Sequence, residues 1–132
     1  MSRYLLDTDI ASYLIRGDHP EVTETFTRNF RDVCISSITA AELQHGARKR
    51  NSPLLTRKVM AFCALVQCID WTSEAAMTYA RLRVDLEQTG TPIGSMDMLI
   101  AASALAEGLV LVTNNTVQFS RIKELQLENW EK

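Results

Sequence analysis

The sequence predicts an α/β domain with a mostly parallel central sheet and helices on both faces. Short apolar runs alternate with longer segments that carry helix start and stop signals, and this alternation indicates βαβ crossovers. Residues 109–113 form a continuous aliphatic and β-branched run, which is typical of a central parallel strand. The chain has 132 residues, 46% of them hydrophobic, without a repeat or a Pro/Ser-rich linker. We therefore expect one domain over residues 1–132.

The elements follow in order along the chain. Strands are predicted at residues 4–6, 33–35, 68–71 and 109–113. No strand or helix is predicted in the tail that ends at Trp130. Helices are predicted at residues 10–15, 19–30, 38–49, 54–66, 73–88, 96–107 and 117–122. Gly17 and Gly108 end the first and the sixth helix. Asp18 and Ser95 are the predicted N-caps of the second and the sixth.

Composition excludes several classes of protein. Sixteen acidic residues against fourteen basic ones give a net charge of −2, which excludes a protein that coats nucleic acid by bulk charge. Three cysteines without a CxxC pair and only two histidines do not provide a structural zinc site, and we expect reduced thiols. No signal peptide and no apolar run of membrane-spanning length are present. The sequence predicts a soluble cytoplasmic protein.

Acidic and polar side chains follow the predicted strands. Asp7 ends the first strand, and residues 113–115 (Thr-Asn-Asn) end the last strand. Glu42 lies in the first turns of the helix that follows the second strand. Asp97 lies in the first turn of the sixth helix. In parallel sheets the ligand site lies beyond the carboxyl ends of the strands. These side chains are therefore expected along one edge of the sheet.

Carboxylates gathered in this way point to a hard metal ion. Clustered carboxylates repel one another unless a cation neutralises them. Oxygen ligands suit Mg²⁺ or Mn²⁺, and such an ion can activate water and stabilise the charge that develops on a phosphodiester. No histidine is placed as an obvious general base, so a metal-activated water is the simplest nucleophile.

Each acid also has a purely structural interpretation. Asp7 is a possible N-cap of the first helix, and Thr39 with Glu42 forms a formal capping box. Asp97 in a first helical turn is favoured by the helix dipole, and Asp9 also fits as a helix-start acid. The spacing of these residues leaves both interpretations open.

Four motifs carry a resemblance to a known family. They are Leu-Asp-Thr-Asp-Ile at residues 6–10, Ile-Thr-Ala-Ala-Glu-Leu at 38–43 with Gly46, Pro-Ile-Gly-Ser-Met-Asp at 92–97 with Ile100 and Ala101, and Val-Thr-Asn-Asn at 112–115 with Phe119. In this order they resemble the motifs of PIN-domain ribonucleases, above all the VapC toxins of bacterial toxin–antitoxin pairs. The tail, with Leu127 and Trp130, resembles the enterobacterial subgroup.

The resemblance implies a site and an activity. Asp7, Glu42 and Asp97 would be the ligands of Mg²⁺ or Mn²⁺, with the hydroxyl of Thr113 supporting them and Asn115 beside them. It implies a metal-dependent endoribonuclease that cleaves a structured RNA, the anticodon loop of a tRNA by analogy with the subgroup. It further implies a homodimer inhibited by a VapB-type antitoxin, which would supply the binding to operator DNA.

Two positions depart from the family pattern. Many PIN domains carry a fourth acid where this chain has Asn115, and relatives often have Glu where this chain has Gln118. Asp9 stands where relatives often have Asn and is a candidate to restore the missing charge. The sequence thus provides three carboxylate ligands where many PIN domains have four. This favours weaker metal binding than in those domains, or a single bound ion.

An RNA substrate requires positive charge near the acids. Arg48, Lys49 and Arg50 follow the Glu42 helix and are the candidates for contacts to phosphate. The alternative interpretation of each is a solvated helix face. The sequence does not define which RNA is cut.

Two rival functions remain. Residues 5–9 also fit the nucleophile motif of haloacid-dehalogenase-type phosphatases, but only nineteen residues follow Thr113, too few for the Lys and the acidic pair that this fold requires downstream. The other rival is a catalytically weak PIN-like module that acts only through a partner protein. The three intact acids favour the ribonuclease.

Overall fold

Five parallel strands form the single sheet of the computed structural model, which describes residues 2–131. The strands are β1 (Tyr4–Leu6), β2 (Val33–Ser36), β3 (Gln67–Ile69), β4 (Val110–Val112) and β5 (Leu127–Glu128). Their order across the sheet is β3-β2-β1-β4-β5. In register, Leu5 of the central strand lies between Cys34 and Leu111. The predicted α/β class and the parallel sheet are confirmed.

The helices cover both faces of this sheet. They are α1 (Thr8–Arg16), α2 (Pro20–Asn29), α3 (Ser37–Lys49), α4 (Pro53–Leu65), α5 (Ser73–Gln88), α6 (Ser95–Ala106) and the short α7 (Thr116–Phe119), with a 3₁₀ turn at Phe30–Asp32 before β2. Gly17 and Gly108 end α1 and α6 with positive φ angles of 72° and 66°, as expected for residues without a Cβ.

The pleat of the strands divides the core into two clusters. Tyr4 and Leu6 of β1 pack with buried side chains of α1 to α4, whereas Leu5 packs with buried side chains of α5, α6 and α7. Successive side chains of a strand point to opposite faces, so a three-residue strand buried on both sides reads as a continuous apolar run. This burial fixes the position of the residue that follows β1, Asp7.

The structure corrects several local predictions. The tail contains a strand, β5, in which Leu127 and Glu128 pair with Leu111 and Val112. A segment of two residues is too short to show a hydrophobic periodicity. It forms a strand because it pairs with the free backbone edge of β4. The last helix is shorter than predicted and ends at Phe119.

Two predicted N-caps are also wrong. His19 occupies the N-cap position of α2 without a side-chain cap, while Asp18 bonds Arg16 at 3.0 Å and His19 at 2.7 Å. Gly94 occupies the N-cap position of α6, so that Ser95 is already the first helical residue. A cap depends on where the chain enters the helix, and that direction is set by packing rather than by the local residues.

The cysteines and the length of the apolar helices bear on two expectations from the sequence, that the thiols are reduced and that no segment spans a membrane. Cys34, Cys63 and Cys68 are free thiols. Among residues 2–131, no helix combines the length and the apolar character needed to cross a membrane.

Candidate active site

Asp7 lies at the carboxyl end of the central strand, and its carboxylate is almost completely buried, with 4% of its surface exposed. The backbone N–H of Ile10 donates to Oδ1 at 2.9 Å, and Asp7 is therefore the N-cap of α1. Thr113 provides a second, side-chain hydrogen bond. The capping interpretation of Asp7 is confirmed, but capping alone does not require burial next to other acids.

Burial makes the negative charge of Asp7 costly. Desolvation raises the pKa of Asp7 to about 6, against the opposing effect of the hydrogen bonds from Thr113 and Ile10. The charges of Asp9 and Asp97 make smaller contributions in the same direction, and the value of about 6 includes them. A buried carboxylate whose nearest charged groups are also carboxylates is a group that a cation would stabilise.

Asp97 extends this cluster from the other side of the sheet. It lies in the first turn of α6 and is partly buried. Its pKa is raised by burial first and then by the charges of Glu42 and Asp9. The helix dipole favours an acid at this position, yet the repulsion by Glu42 and Asp9 shows that α1, α3 and α6 bring their carboxylates to one place.

Glu42 is not a capping residue. The N-cap of α3 is Ser36, whose Oγ accepts the N–H of Ile38 at 3.1 Å. Thr39 therefore lies inside the helix and is buried, and the predicted capping box with Glu42 is wrong. The carboxylate of Glu42 instead accepts the hydroxyl of Thr8 at 2.5 Å, which ties α3 to the start of α1.

Thr113 and Asn115 follow β4, and Thr113 contacts Asp7. The Thr113 side chain is fully buried, and its Oγ1 accepts the N–H of Asn115 at 2.9 Å. This bond uses Thr113 only as an acceptor, so its hydroxyl proton is available for donation to Asp7. The amide of Asn115 donates to Gln118 at 3.0 Å, so the two positions that depart from the family pattern contact each other.

Four carboxylates thus share this end of the sheet, and we call Asp7, Asp9, Glu42 and Asp97 the acidic edge. Their donor atoms are all oxygens, which fit Mg²⁺ or Mn²⁺ and not a soft metal. Within residues 2–131, no three His, Cys, Asp or Glu side chains converge into a closed metal cage. The hydroxyl of Thr8 donates to the Glu42 carboxylate, which holds that side chain on α3 against the start of α1.

A groove of about 160 Å³ leads away from the acidic edge. Its lining includes Thr8, Glu42, Arg16 and Arg50, besides apolar side chains of α1 and α4. Arg50 is therefore the one member of the predicted basic triplet that lines this groove. Arg48 lines a neighbouring cleft, and Lys49 is exposed on α3.

Sequence reasoning missed several contacts at this site. Thr8 holds Glu42, and the amide of Asn114 bonds the hydroxyl of Tyr13 on α1. Thr8 stands next to Asp7 in a motif that was recognised, so its position was an available signal. Tyr13 and Asn114 are 101 residues apart, and no local pattern connects them.

Comparison with known proteins agrees with the motifs. The sequence profile of the PIN domain matches residues 4–125. The chain is 36% identical over 131 residues to the tRNA(fMet)-specific endonuclease VapC of Shigella flexneri, covering 98% of this chain and 99% of that protein. It is 41% identical over 134 residues to ribonuclease VapC2 of Rickettsia felis, covering 98% of each.

A solved structure shows the same similarity. DNA-bound VapBC from Salmonella typhimurium contains a chain that superposes with a TM-score of 0.90 at 36% identity, over 98% of this chain and 99% of that one. A likeness that extends over almost the whole of both chains covers the fold together with all four motifs. The chain therefore belongs to the PIN-domain family, within the group of VapC ribonucleases.

Proposed function

We propose that this protein is a metal-dependent endoribonuclease and the toxin of a type II toxin–antitoxin pair, formed by one PIN domain over residues 1–132. The observation that carries the proposal is the acidic edge. Among residues 2–131, the charged groups that act on the buried Asp7 are the carboxylates of Asp9 and Asp97. The pKa values of Asp7 and Asp97 are raised first by burial and then by neighbouring carboxylates. A cation bound between these carboxylates would offset the cost of charging them at neutral pH.

Asp7, Asp97 and Glu42 are the residues that would hold Mg²⁺ or Mn²⁺. When bound, the ion supplies a water of lowered pKa and offsets the negative charge that develops on the phosphodiester. Asp9 lies close to this set, since its charge acts on Asp7 and Asp97. It would add a negative charge, which the neutral Asn115 would not.

The neighbouring side chains orient these ligands. Thr113 accepts the backbone N–H of Asn115 and directs its own proton to Asp7, which keeps the Asp7 carboxylate in a fixed orientation. The hydroxyl of Thr8, in the first turn of α1, donates to the Glu42 carboxylate and orients it in the same way. Hydrogen bonds of this kind, to the ligand and not to the ion, position the groups that hold a metal.

The substrate proposal is a structured RNA, and specifically the anticodon loop of a tRNA. Support comes from the relative in Shigella flexneri, which is named for its action on tRNA(fMet). Arg48, Lys49 and Arg50 are proposed to contact phosphates, since Arg50 lines the groove beside Glu42. Contacts of this kind position RNA without reading its sequence.

The proposed partners are a VapB-type antitoxin and a second copy of the chain. The Salmonella typhimurium assembly is a VapBC complex bound to DNA. We propose that here too operator DNA is contacted only through the antitoxin, and that the protein acts in the bacterial cytoplasm.

A second candidate is a catalytically weak module that acts through its partner. It is favoured by the side chain of Asn115, which is neutral and bonded to Gln118. The experiment that follows separates the two functions.

The test is incubation of the purified, antitoxin-free protein with total bacterial RNA, with Mg²⁺, with Mn²⁺ and with EDTA. We expect one or a few RNA bands to be cleaved with either metal and none with EDTA. Asp7→Asn is expected to leave all RNA intact. Asp32→Asn is the matched control, because Asp32 is an exposed acid at the opposite, amino end of β2.

Three outcomes contradict the proposal. Intact RNA in every reaction of a folded, metal-binding protein would support the weak module. Equal cleavage with EDTA would exclude a metal-dependent reaction. Full activity of Asp7→Asn would remove the acidic edge from the mechanism.

A further inference from the structure

Charge is distributed unevenly along the chain. Residues 43–69 contain five Lys and Arg side chains and no Asp or Glu, whereas the remainder has nine basic residues against sixteen acidic ones. The five are Arg48, Lys49, Arg50, Arg57 and Lys58, and we call them the basic corner. They lie at the end of α3 and in the first turns of α4.

Within the described part of the chain, the basic corner differs from other exposed arginines because its side chains lack acidic partners. Its five side chains are exposed, and none of them takes part in an ion pair within residues 2–131. Elsewhere, exposed arginines such as Arg28, Arg81 and Arg83 are paired with acids on the same helix. An unpaired cluster of one sign attracts a ligand of the opposite sign.

A cleft opens within the basic corner. It is lined by Arg48, Arg57, Asn51, Ser52, Pro53 and Thr56. Apart from Pro53, its lining side chains are polar, and several can donate hydrogen bonds. Such a lining suits phosphate oxygens and offers little to the apolar face of a protein partner.

The tight turn between α3 and α4 fixes this shape. Asn51 adopts a left-handed φ of 52°, and the Ser52 side chain caps α4 by accepting the N–H of Leu55 at 3.1 Å. The turn brings Arg48 of α3 and Arg57 of α4 into the lining of one cleft. The cleft is therefore built from the end of α3, the turn and the beginning of α4.

Arg50 connects this cleft to the acidic edge. It caps the end of α3, two residues after Arg48, and lines the groove that contains Thr8 and Glu42. A polyanion that enters the groove would continue past Arg50 into the cleft. The groove and the cleft are thus lined by residues only two positions apart at the end of α3.

We infer that the cleft between Arg48 and Arg57 is a second RNA-binding subsite, which holds the phosphate backbone of a structured RNA outside the segment that is cleaved. This inference rests on the proposed function. The acidic edge would cleave the RNA. The cleft would increase the affinity for an RNA that is long enough to contact both sites.

The test is tRNA binding by the double variant Arg48→Gln/Arg57→Gln, in an Asp7→Asn background so that the RNA stays intact. Arg28→Gln/Arg31→Gln is the matched control. It removes two arginines from another cleft, but that cleft also contains Asp32 and lies before β2, at the opposite end of the strands. Circular dichroism verifies that each variant is folded.

We expect the Kd of the double variant for initiator tRNA to rise about 10-fold, and the slope of log Kd against log salt to fall by about 1 to 2, because up to two phosphate contacts are lost. The control is expected to change Kd less than about twofold. Arg48→Lys/Arg57→Lys keeps both charges and should retain most of the salt slope. In the cleaving protein, kcat/KM should fall much more for tRNA than for a short single-stranded RNA with the same cut site.

Unchanged tRNA affinity, or an equal loss in both double variants, would overturn the inference. Retained tRNA affinity with lost affinity for the antitoxin would also overturn it and assign the cleft to a protein partner. If tRNA binds as expected but is never cleaved, the proposed function fails and the cleft remains an RNA-binding site.

Discussion

The acidic edge and the basic corner carry opposite charges in very different surroundings. Asp7 is buried at the end of the central strand, with two other carboxylates raising its pKa. The arginines and lysines of the basic corner are all exposed, and water solvates each of them. Unpaired charges of one sign therefore reduce the stability of the fold at the acidic edge, but have little effect on it at the basic corner.

This difference separates two kinds of site. A buried, like-charged cluster destabilises the fold unless a ligand is present, so its persistence indicates binding or chemistry. An exposed cluster costs little and indicates a function only when its shape and neighbours agree. For the basic corner, the polar cleft and the link through Arg50 provide that agreement.

The largest expected effect comes from removing a charge from the acidic edge. Asp97→Asn is expected to reduce RNA cleavage by about 10³-fold, equivalent to about 4 kcal/mol of transition-state stabilisation. The fold should be retained, since the substitution relieves repulsion by Glu42 and Asp9. Single-turnover cleavage and circular dichroism measure the two effects. An unfolded variant would instead assign Asp97 a helix-start role.

The cost of burying Asp7 can be measured directly as a dependence of stability on pH. The pKa of Asp7 is raised from 3.8 to about 6 in the folded protein. Between these values the folded state holds a proton that the unfolded chain has lost, so stability falls as the pH rises. Above pH 6 the loss is complete and amounts to about 3 kcal/mol.

Asp7→Asn removes this charge and keeps a capping side chain. We expect its free energy of unfolding at pH 8 and without metal to exceed that of the wild type by about 1–3 kcal/mol. At pH 4 the two proteins should be nearly equal. Urea unfolding at both pH values is the measurement, and a variant less stable at pH 8 would contradict the interpretation.

Glu42→Gln separates binding from capping on α3. Because Ser36 is the cap, we expect an unchanged free energy of unfolding and a loss of cleavage of about 10- to 100-fold. Ser36→Ala is the counterpart and should cost about 1 kcal/mol of stability. Full cleavage activity of Glu42→Gln would exclude Glu42 from the metal site.

The smallest effect is expected at Asn115. Asn115→Asp would add a carboxylate next to Thr113, whose Oγ1 already accepts the N–H of residue 115. We expect the affinity for Mn²⁺ to rise about 3- to 10-fold, because the added charge strengthens an oxygen-ligand site. Isothermal titration with Mn²⁺ measures this change. Unchanged affinity would place residue 115 outside the metal site.

The sequence by itself determined the fold class and the membership of the acidic edge. Apolar strands alternate with helices over the whole chain, and that pattern is local, so it is readable without contacts. Asp7 and Glu42 follow the first two strands, and polar residues after parallel strands meet at one edge of the sheet. Asp97 lies in the first turn of a helix, and its assignment as a ligand came from the family resemblance. The roles of these residues in binding and cleavage remain predictions.

Only the tertiary structure decided which acid caps a helix, where β5 pairs and which arginines line the groove. Ser36 and not Thr39 caps α3, and Arg48 and Arg50 line separate cavities although they are two residues apart. The raised pKa of Asp7 likewise results from burial between α1, β4 and α6. These features depend on contacts between residues far apart in the chain, and local patterns of residues do not contain that information.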